Sequence, residues 1–252
     1  MHLSGQHAFV TGGGRGIGRA VAAALARAGA TVTVLGRSEA PLRAAVSAGA
    51  ATGFTVADVT DAATLNRQVS AAAAAHGPVA ILINNAGSVA SGPFSKADAS
   101  VFRSMWDVHV MGAVYATQAV LPGMIARGFG RIVNIASTAG LRGYAYVSAY
   151  CAAKHALVGL TRALAAETAK SGVTVNAVCP GYTDTDLLRE NATRVAAKTG
   201  RSQAEVLAEY RRDAPIDRLI RPEEVAAAVL YLCSPEAAAV TGTTLAVAGG
   251  EM

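Results

Sequence analysis

Residues 11–18 read TGGGRGIG, set between the apolar run HAFV at 7–10 and an alanine-rich stretch at 16–28. A strand, a glycine turn and a helix in direct succession form the opening unit of a nucleotide-binding α/β sheet. Gly12, Gly16 and Gly18 let the main chain turn tightly and approach a diphosphate. The helix that follows offers its N-terminal amides to the negative charge. A glycine-rich string alone is weak evidence, so its context decides.

Working outward, the unit repeats. TVTVL precedes 39–48, GFTVA precedes 61–76, and VAILIN precedes a helix over roughly 98–127. RIVNIAS then leads to a helix near 148–171, VTVNAVC to helices between 184 and 233, and TTLAVA closes the pattern. Short β-rich runs alternating with helical stretches predict βαβ units and a parallel sheet buried on both faces. The expected fold is α/β, a single Rossmann-type doubly wound domain over 1–252 with about seven parallel strands and helices on both faces. In such sheets ligands bind beyond the carboxyl ends of the strands, which makes the loops after each strand the candidate sites.

Composition narrows the partners. The chain is 52% hydrophobic and 15% charged, which indicates a globular protein with a full core. Its net charge of +5 comes from 22 scattered Lys and Arg, and only 5% of residues are aromatic. No basic arm or stacking platform for nucleic acid is visible, and an anionic small molecule better fits the surplus. Cys151, Cys179 and Cys233 are distant, odd in number and without metal-ligand spacing, so no metal is expected and inert buried thiols are. Residues 108–126 lack Asp, Glu, Lys and Arg but hold His109, Gly112, Gln118, Pro122 and Gly123, which favours a core helix over a membrane span. With no signal-peptide layout at the start, a cytoplasmic protein without membrane partner is expected.

The second strand ends in TVTVLGRSE. A chain that prefers NAD carries a carboxylate there, about 20 residues past the glycine loop, to grip the adenosine ribose. Gly36 fills that position and Arg37 follows. A guanidinium pairs with a 2′-phosphate where a carboxylate repels it, and Arg15 in the loop adds a second positive charge. NADP(H) is therefore the preferred cofactor, with NAD(H) still possible. After the third strand, ADVTD places Asp58 to accept from an adenine amino group. After the fourth, NNAG (84–87) puts Asn85, Ala86 and Gly87 in a small-residue turn with amides to spare; turn or cap roles fit both places equally.

YCAAK sets Tyr150 and Lys154 four residues apart, on one helix face. A phenol titrates near 10, and a neighbouring ammonium is expected to bring it towards the working range. Thirteen residues upstream of Tyr150, at the end of the fifth strand, Ser137 can donate to a carbonyl oxygen that gains charge as hydride arrives.

With these motifs the chain resembles the short-chain dehydrogenase/reductase family in its roughly 250-residue form. The likeness runs over nearly the whole length: 11–18, 84–87, Ser137, Tyr150, Lys154 and the PG at 180–181. It implies a Rossmann-type fold and hydride transfer between a nicotinamide and a carbonyl/alcohol pair. Tyr150 would be the acid or base, Ser137 the orienting donor, and Lys154 the pKa perturber and a ribose contact. Ile17 and Val59 join the implied cofactor contacts, as do Pro180, Gly181, Thr183 and Thr185 beside the nicotinamide. A homotetramer is the inherited expectation. In WDVHVMG (106–112), His109 stands where the family usually has an Asn that holds a water in a proton relay. Imidazole can hold a water too, or it can merely satisfy a distorted turn; both readings stay open.

The same resemblance makes 184–215 a substrate lid, with a layout like that of 3-hydroxybutyrate dehydrogenases. Their polar carboxylate-holding positions correspond to Val89, Ala139 and Val147 here, which cannot hold a buried carboxylate. With Leu141, Tyr144, Tyr182 and Leu187 they describe an apolar pocket for an acyl chain or ring. A 3-oxoacyl/3-hydroxyacyl thioester leads, and Ser171, where carrier-protein reductases tend to be basic, tilts the carrier to CoA. The alternatives are a free hydrophobic or cyclic ketone, and a nucleotide sensor without turnover.

Overall fold

β1 (His7–Thr11) is the strand from which the sheet grows in both directions in the computed structural model, which describes residues 2–251. It pairs on one side with β2 (Thr31–Gly36), followed by β3 (Gly53–Val56). On the other side lie β4 (Val79–Asn84), β5 (Gly130–Ile135), β6 (Val173–Pro180) and β7 (Thr244–Val247). The order is β3-β2-β1-β4-β5-β6-β7, every pair parallel, as the alternating sequence predicts. The chain reverses its direction of growth between β1 and β4. Loops leaving those two strands part there and open a crevice.

Helices α1 (Gly16–Arg27), α2 (Glu39–Ser47) and α9 (Pro222–Cys233) contribute to the core on one face. Helices α3 (Ala62–His76), α5 (Gly112–Arg127) and α6 (Ser148–Thr168) cover the other. Strand alternation divides the core between them. Ala8 and Val10 join Val21, Leu25, Val225 and Val229, whereas Phe9 joins Leu65, Val69, Val120 and Met124. Each large side chain so buried contributes roughly 1.5–3 kcal/mol. Phe9→Ala would cost about 3–5 kcal/mol because both faces are closed around it.

The helix expected over 98–127 is interrupted. It runs as α4 (Ala99–Trp106), a π-helical turn at Asp107–Met111, and then α5. Ala99–Arg127 is long and apolar enough to cross a membrane, yet Ala116, Val120 and Met124 of α5 lie in the core beneath the sheet. The π turn is the distortion that buries His109 and Val110. Such turns recur at functional sites.

The remaining helices, α7 (Asp186–Thr199) and α8 (Gln203–Arg212), form a pair beyond the carboxyl end of β6. Thr185 caps α7 by accepting from the Leu188 amide, and Ser202 with Glu205 makes a capping box on α8. α7 reaches across to the loop after β4: Lys198 donates to the Ser91 carbonyl at 3.1 Å, and Ser91 donates to Asn191 at 3.4 Å.

Candidate active site

The glycine loop is built from both sides of the crevice. Gly12 and Gly16 have φ of 66° and 53°, the left-handed region open to glycine. A Cβ on Gly18 would come within 2.3 Å of the Gly12 carbonyl and 2.4 Å of the Asn85 side chain. Only hydrogen fits there. The first turn of α1 has no side-chain cap and no acidic residue, so its amides suit a diphosphate. The turn at 84–87 works differently from the reading of spare amides. The Asn85 and Ala86 amides both donate to the Thr11 hydroxyl at 3.0 Å, and the Asn85 side chain donates to the Thr11 and Gly12 carbonyls. Asn85 clamps the phosphate loop.

The adenosine corner carries charge. Gly14 and Gly36 both abut Leu42, which brings the glycine loop beside the end of β2. Exposed Arg37 lies 3.9 Å from Asp58, whose other oxygen accepts from the Thr60 amide and hydroxyl. Arg15 pairs with Glu190 of α7 at 2.9 Å, linking the loop to the helical pair. Ile17 is partly buried in α1. Val59 is buried against Gly112, where a Cβ would come within 2.9 Å of its side chain.

Ser137 follows β5 and opens a tight turn at Thr138–Gly140. Its oxygen accepts from the Ala139 amide at 3.1 Å, which leaves its proton to donate. Gly140 packs that turn on α6, since a Cβ there would meet the Lys154 carbonyl at 2.8 Å. This contact keeps Ser137 beside Tyr150, with which it hydrogen-bonds. Lys154 is buried; its Nζ donates to the Ile135 carbonyl at 2.7 Å and lies 5.6 Å from the Tyr150 ring centre. The three predicted catalytic groups are thus brought together at the end of β5.

Their electrostatics differ from the expected lowering of the phenol. Burial pushes Tyr150 up to about 12, with the Ser137 hydrogen bond pulling the other way. Burial likewise pushes Lys154 down to about 7. Desolvation of both groups outweighs the attraction expected of an ammonium for a phenolate.

His109 completes the cluster. Its ring meets that of Tyr150 edge-on, with centres 5.3 Å apart. Nε2 lies 2.8 Å from the Ser88 carbonyl, an acceptor only, so Nε2 carries the proton and Nδ1 does not. Burial, then the Lys154 charge, hold the imidazole down to about 3, so it is neutral. Nδ1 is buried without a partner, as is Asn84 Oδ1. Both residues line a cavity of about 10 Å³, with Thr11 and Ile135 among its other walls. Gly87 lies against the ring: a Cβ there would come within 2.6 Å of His109 Cε1.

Sequence reading overlooked the polar ladder behind this cluster. Asn84 and Asn134 face each other in the β4–β5 register, and Asn84 donates to Asn134 at 2.8 Å. Asn134 donates on to Thr161 of α6 at 2.8 Å. The ladder locks the strand ends that carry residues 85–87 and Ser137 to the helix that carries Tyr150. Its signal was the asparagine near the carboxyl end of each of two strands rich in branched apolar residues, VAILIN and RIVNI.

The residues read as a substrate pocket come from separate segments. Tyr144 and Tyr182 meet edge-on at 6.4 Å, Tyr182 stacks on Tyr210 of α8 at 4.4 Å, and Val147 and Leu187 begin α6 and α7 half-buried. Val89 is half-buried in the loop after β4. Ala139 is buried in its turn, and Leu141 is half-buried against the cluster that includes Ala136, Leu157 and Ala177. Pro180 ends β6, and Gly181 and Thr183 follow it, but the threonine hydroxyls are engaged: Thr183 donates to Gly181 and Thr185 to Thr183. The three cysteines are buried free thiols.

The family model described as short chain dehydrogenase matches residues 6–196. The 2-(S)-hydroxypropyl-CoM dehydrogenase 3 of Xanthobacter autotrophicus is 41% identical over 245 residues, covering 96% of this chain and 94% of the relative. A crystal structure of a single-substitution variant of actinorhodin polyketide ketoreductase with NADPH matches with a TM-score of 0.94 and 36% identity, over 100% of this chain and 99% of that one. Levodione reductase matches with a TM-score of 0.95 and 32% identity, over 99% and 98%.

Proposed function

The chain belongs to the short-chain dehydrogenase family and is an NAD(P)-dependent oxidoreductase, and from that premise we propose an NADP(H)-preferring reductase of hydrophobic ketones, foremost 3-oxoacyl thioesters. The observation that carries the reading is the convergence of Ser137, Tyr150 and Lys154 at one strand end beside the glycine cradle. Gly12, Gly16 and the uncapped first turn of α1 would hold the diphosphate, and Arg37 with Arg15 would meet a 2′-phosphate. The cofactor, when bound, supplies or accepts the hydride. Similarity to an NADPH-bound ketoreductase supports the choice of NADP(H) and of a keto substrate.

Ser137 donates to the substrate oxygen and holds it against Tyr150. Tyr150, raised by burial and therefore protonated, gives its proton to that oxygen during reduction and takes it back during oxidation. Lys154 keeps positive charge close to the phenol oxygen as it becomes anionic. The small cavity lined by His109 and Asn84 is of the size of one water, which would donate to the buried acceptors His109 Nδ1 and Asn84 Oδ1. We assign His109 to that relay position. The α7–α8 pair acts as the lid over 184–215, and the active form is a homotetramer. CoA is the favoured thioester carrier because Ser171 leaves no charge where a carrier protein would dock.

A free cyclic ketone is the second reading, favoured by the likeness to levodione reductase. NADPH oxidation with acetoacetyl-CoA, longer 3-oxoacyl-CoA and 2-tetralone separates the two. Preference for the thioesters supports the first reading and preference for 2-tetralone the second. Tight NADPH binding with no turnover of any carbonyl would replace both with a nucleotide sensor.

A further inference from the structure

The carboxylate of Glu251, in the segment that follows β7, is 1% exposed and reaches the substrate wall. Oε1 lies 2.6 Å from the Tyr144 hydroxyl and 2.9 Å from the Arg142 guanidinium. The Tyr144 oxygen is also 2.8 Å from the Thr138 hydroxyl. A phenol has one proton and a carboxylate only accepts, so the charged acceptor takes the Tyr144 proton and Thr138 donates to Tyr144. Thr138 adjoins Ser137, and Tyr144 lies near enough to Tyr150 to influence its charge. One face of the Tyr144 ring is covered by Arg142 at 4.7 Å, and its edge meets Tyr182. Among the described residues Glu251 Oε2 has no hydrogen-bond partner, and it abuts Gly181, where a Cβ would come within 2.8 Å. A buried carboxylate of this kind carries a desolvation cost that packing alone does not explain.

We propose that Glu251 is a positioning residue that sets substrate selectivity. By engaging the Tyr144 hydroxyl it fixes the orientation of the ring that substrate packs against. The inference rests on the reading of the site as a reductase of hydrophobic ketones, and makes the segment after β7 part of its specificity.

The test uses the full-length enzyme with NADPH and 2-tetralone or acetoacetyl-CoA, whichever the parent reduces. Glu251→Ala should raise the ketone KM about fivefold or more, with kcat within about twofold and NADPH affinity unchanged. Glu251→Gln keeps an acceptor and should restore most of the loss. Tyr144→Phe should reproduce the KM rise, and adding Glu251→Ala to it should change nothing further. A parent-like KM in Tyr144→Phe, or equal losses from Glu251→Ala with and without the Tyr144 hydroxyl, would overturn the proposal. Tyr144→Phe and Glu251→Gln decide the matter if Glu251→Ala does not fold. A parent enzyme that reduces neither ketone removes the functional reading itself; an active parent indifferent to these changes removes only this inference.

Discussion

His109 and Tyr150 stand edge to face, ring centres 5.3 Å apart at 79°, so the histidine of the π turn packs against the proposed proton donor. His109→Asn keeps a polar group facing the small cavity and should retain most activity. His109→Leu removes it and should slow kcat while leaving NADPH affinity within about twofold. Parent-like turnover in the Leu variant would show that the ring only packs.

The same histidine makes stability depend on pH. Its pKa is about 3 in the folded chain against 6.5 for an ordinary imidazole. Between those values the unfolded chain binds the proton and the folded chain does not, so stability is lost as pH falls from 7 towards 3. By pH 5 this loss amounts to about 2 kcal/mol. Urea midpoints at pH 7 and pH 5 should therefore separate less in His109→Asn than in the parent.

Lys154, held down to about 7, is half-protonated near neutrality in the cofactor-free protein. Ribose hydroxyls and phosphates favour its charged form, so NADPH binding should take up a proton and tighten as pH falls from 8 to 6. Calorimetry in buffers of different ionisation heat would measure the uptake. An unchanged uptake in Lys154→Met would assign the proton elsewhere.

Tyr150→Phe removes the only proton that Ser137 and Lys154 are arranged to manage. Turnover should fall by about 100-fold or more, with NADPH still bound. Single-turnover NADPH oxidation is the direct measure, and equal rates would discard the mechanism.

Arg37→Ala should weaken NADPH about tenfold and NADH much less, since a guanidinium–phosphate contact is charge-assisted. Cofactor fluorescence titration gives both constants. Equal losses would mean that Arg37 does not read the phosphate.

The parallel sheet of about seven strands and the Ser137–Tyr150–Lys154 set were legible in sequence because strand–helix alternation and residue spacing are local signals. What escaped depends on burial and on contacts between distant segments. No spacing rule says that the Asn85 amide would be taken by Thr11, or that Asn84 would reach Asn134 across the sheet. Charge chemistry read from residue types predicted a lowered phenol, whereas the depth of the site raises it. A distorted turn at His109 was one of two readings the sequence left open, and the π turn at 107–111 is that distortion; its form depends on which backbone carbonyl each amide finds.

Gly87 and His109 divide one space between two segments of the chain. A Cβ at 87 would come within 2.6 Å of His109 Cε1, so a side chain there requires the imidazole to move. Whatever holds the ring of His109 in place therefore also sets how much side chain the loop after β4 can carry.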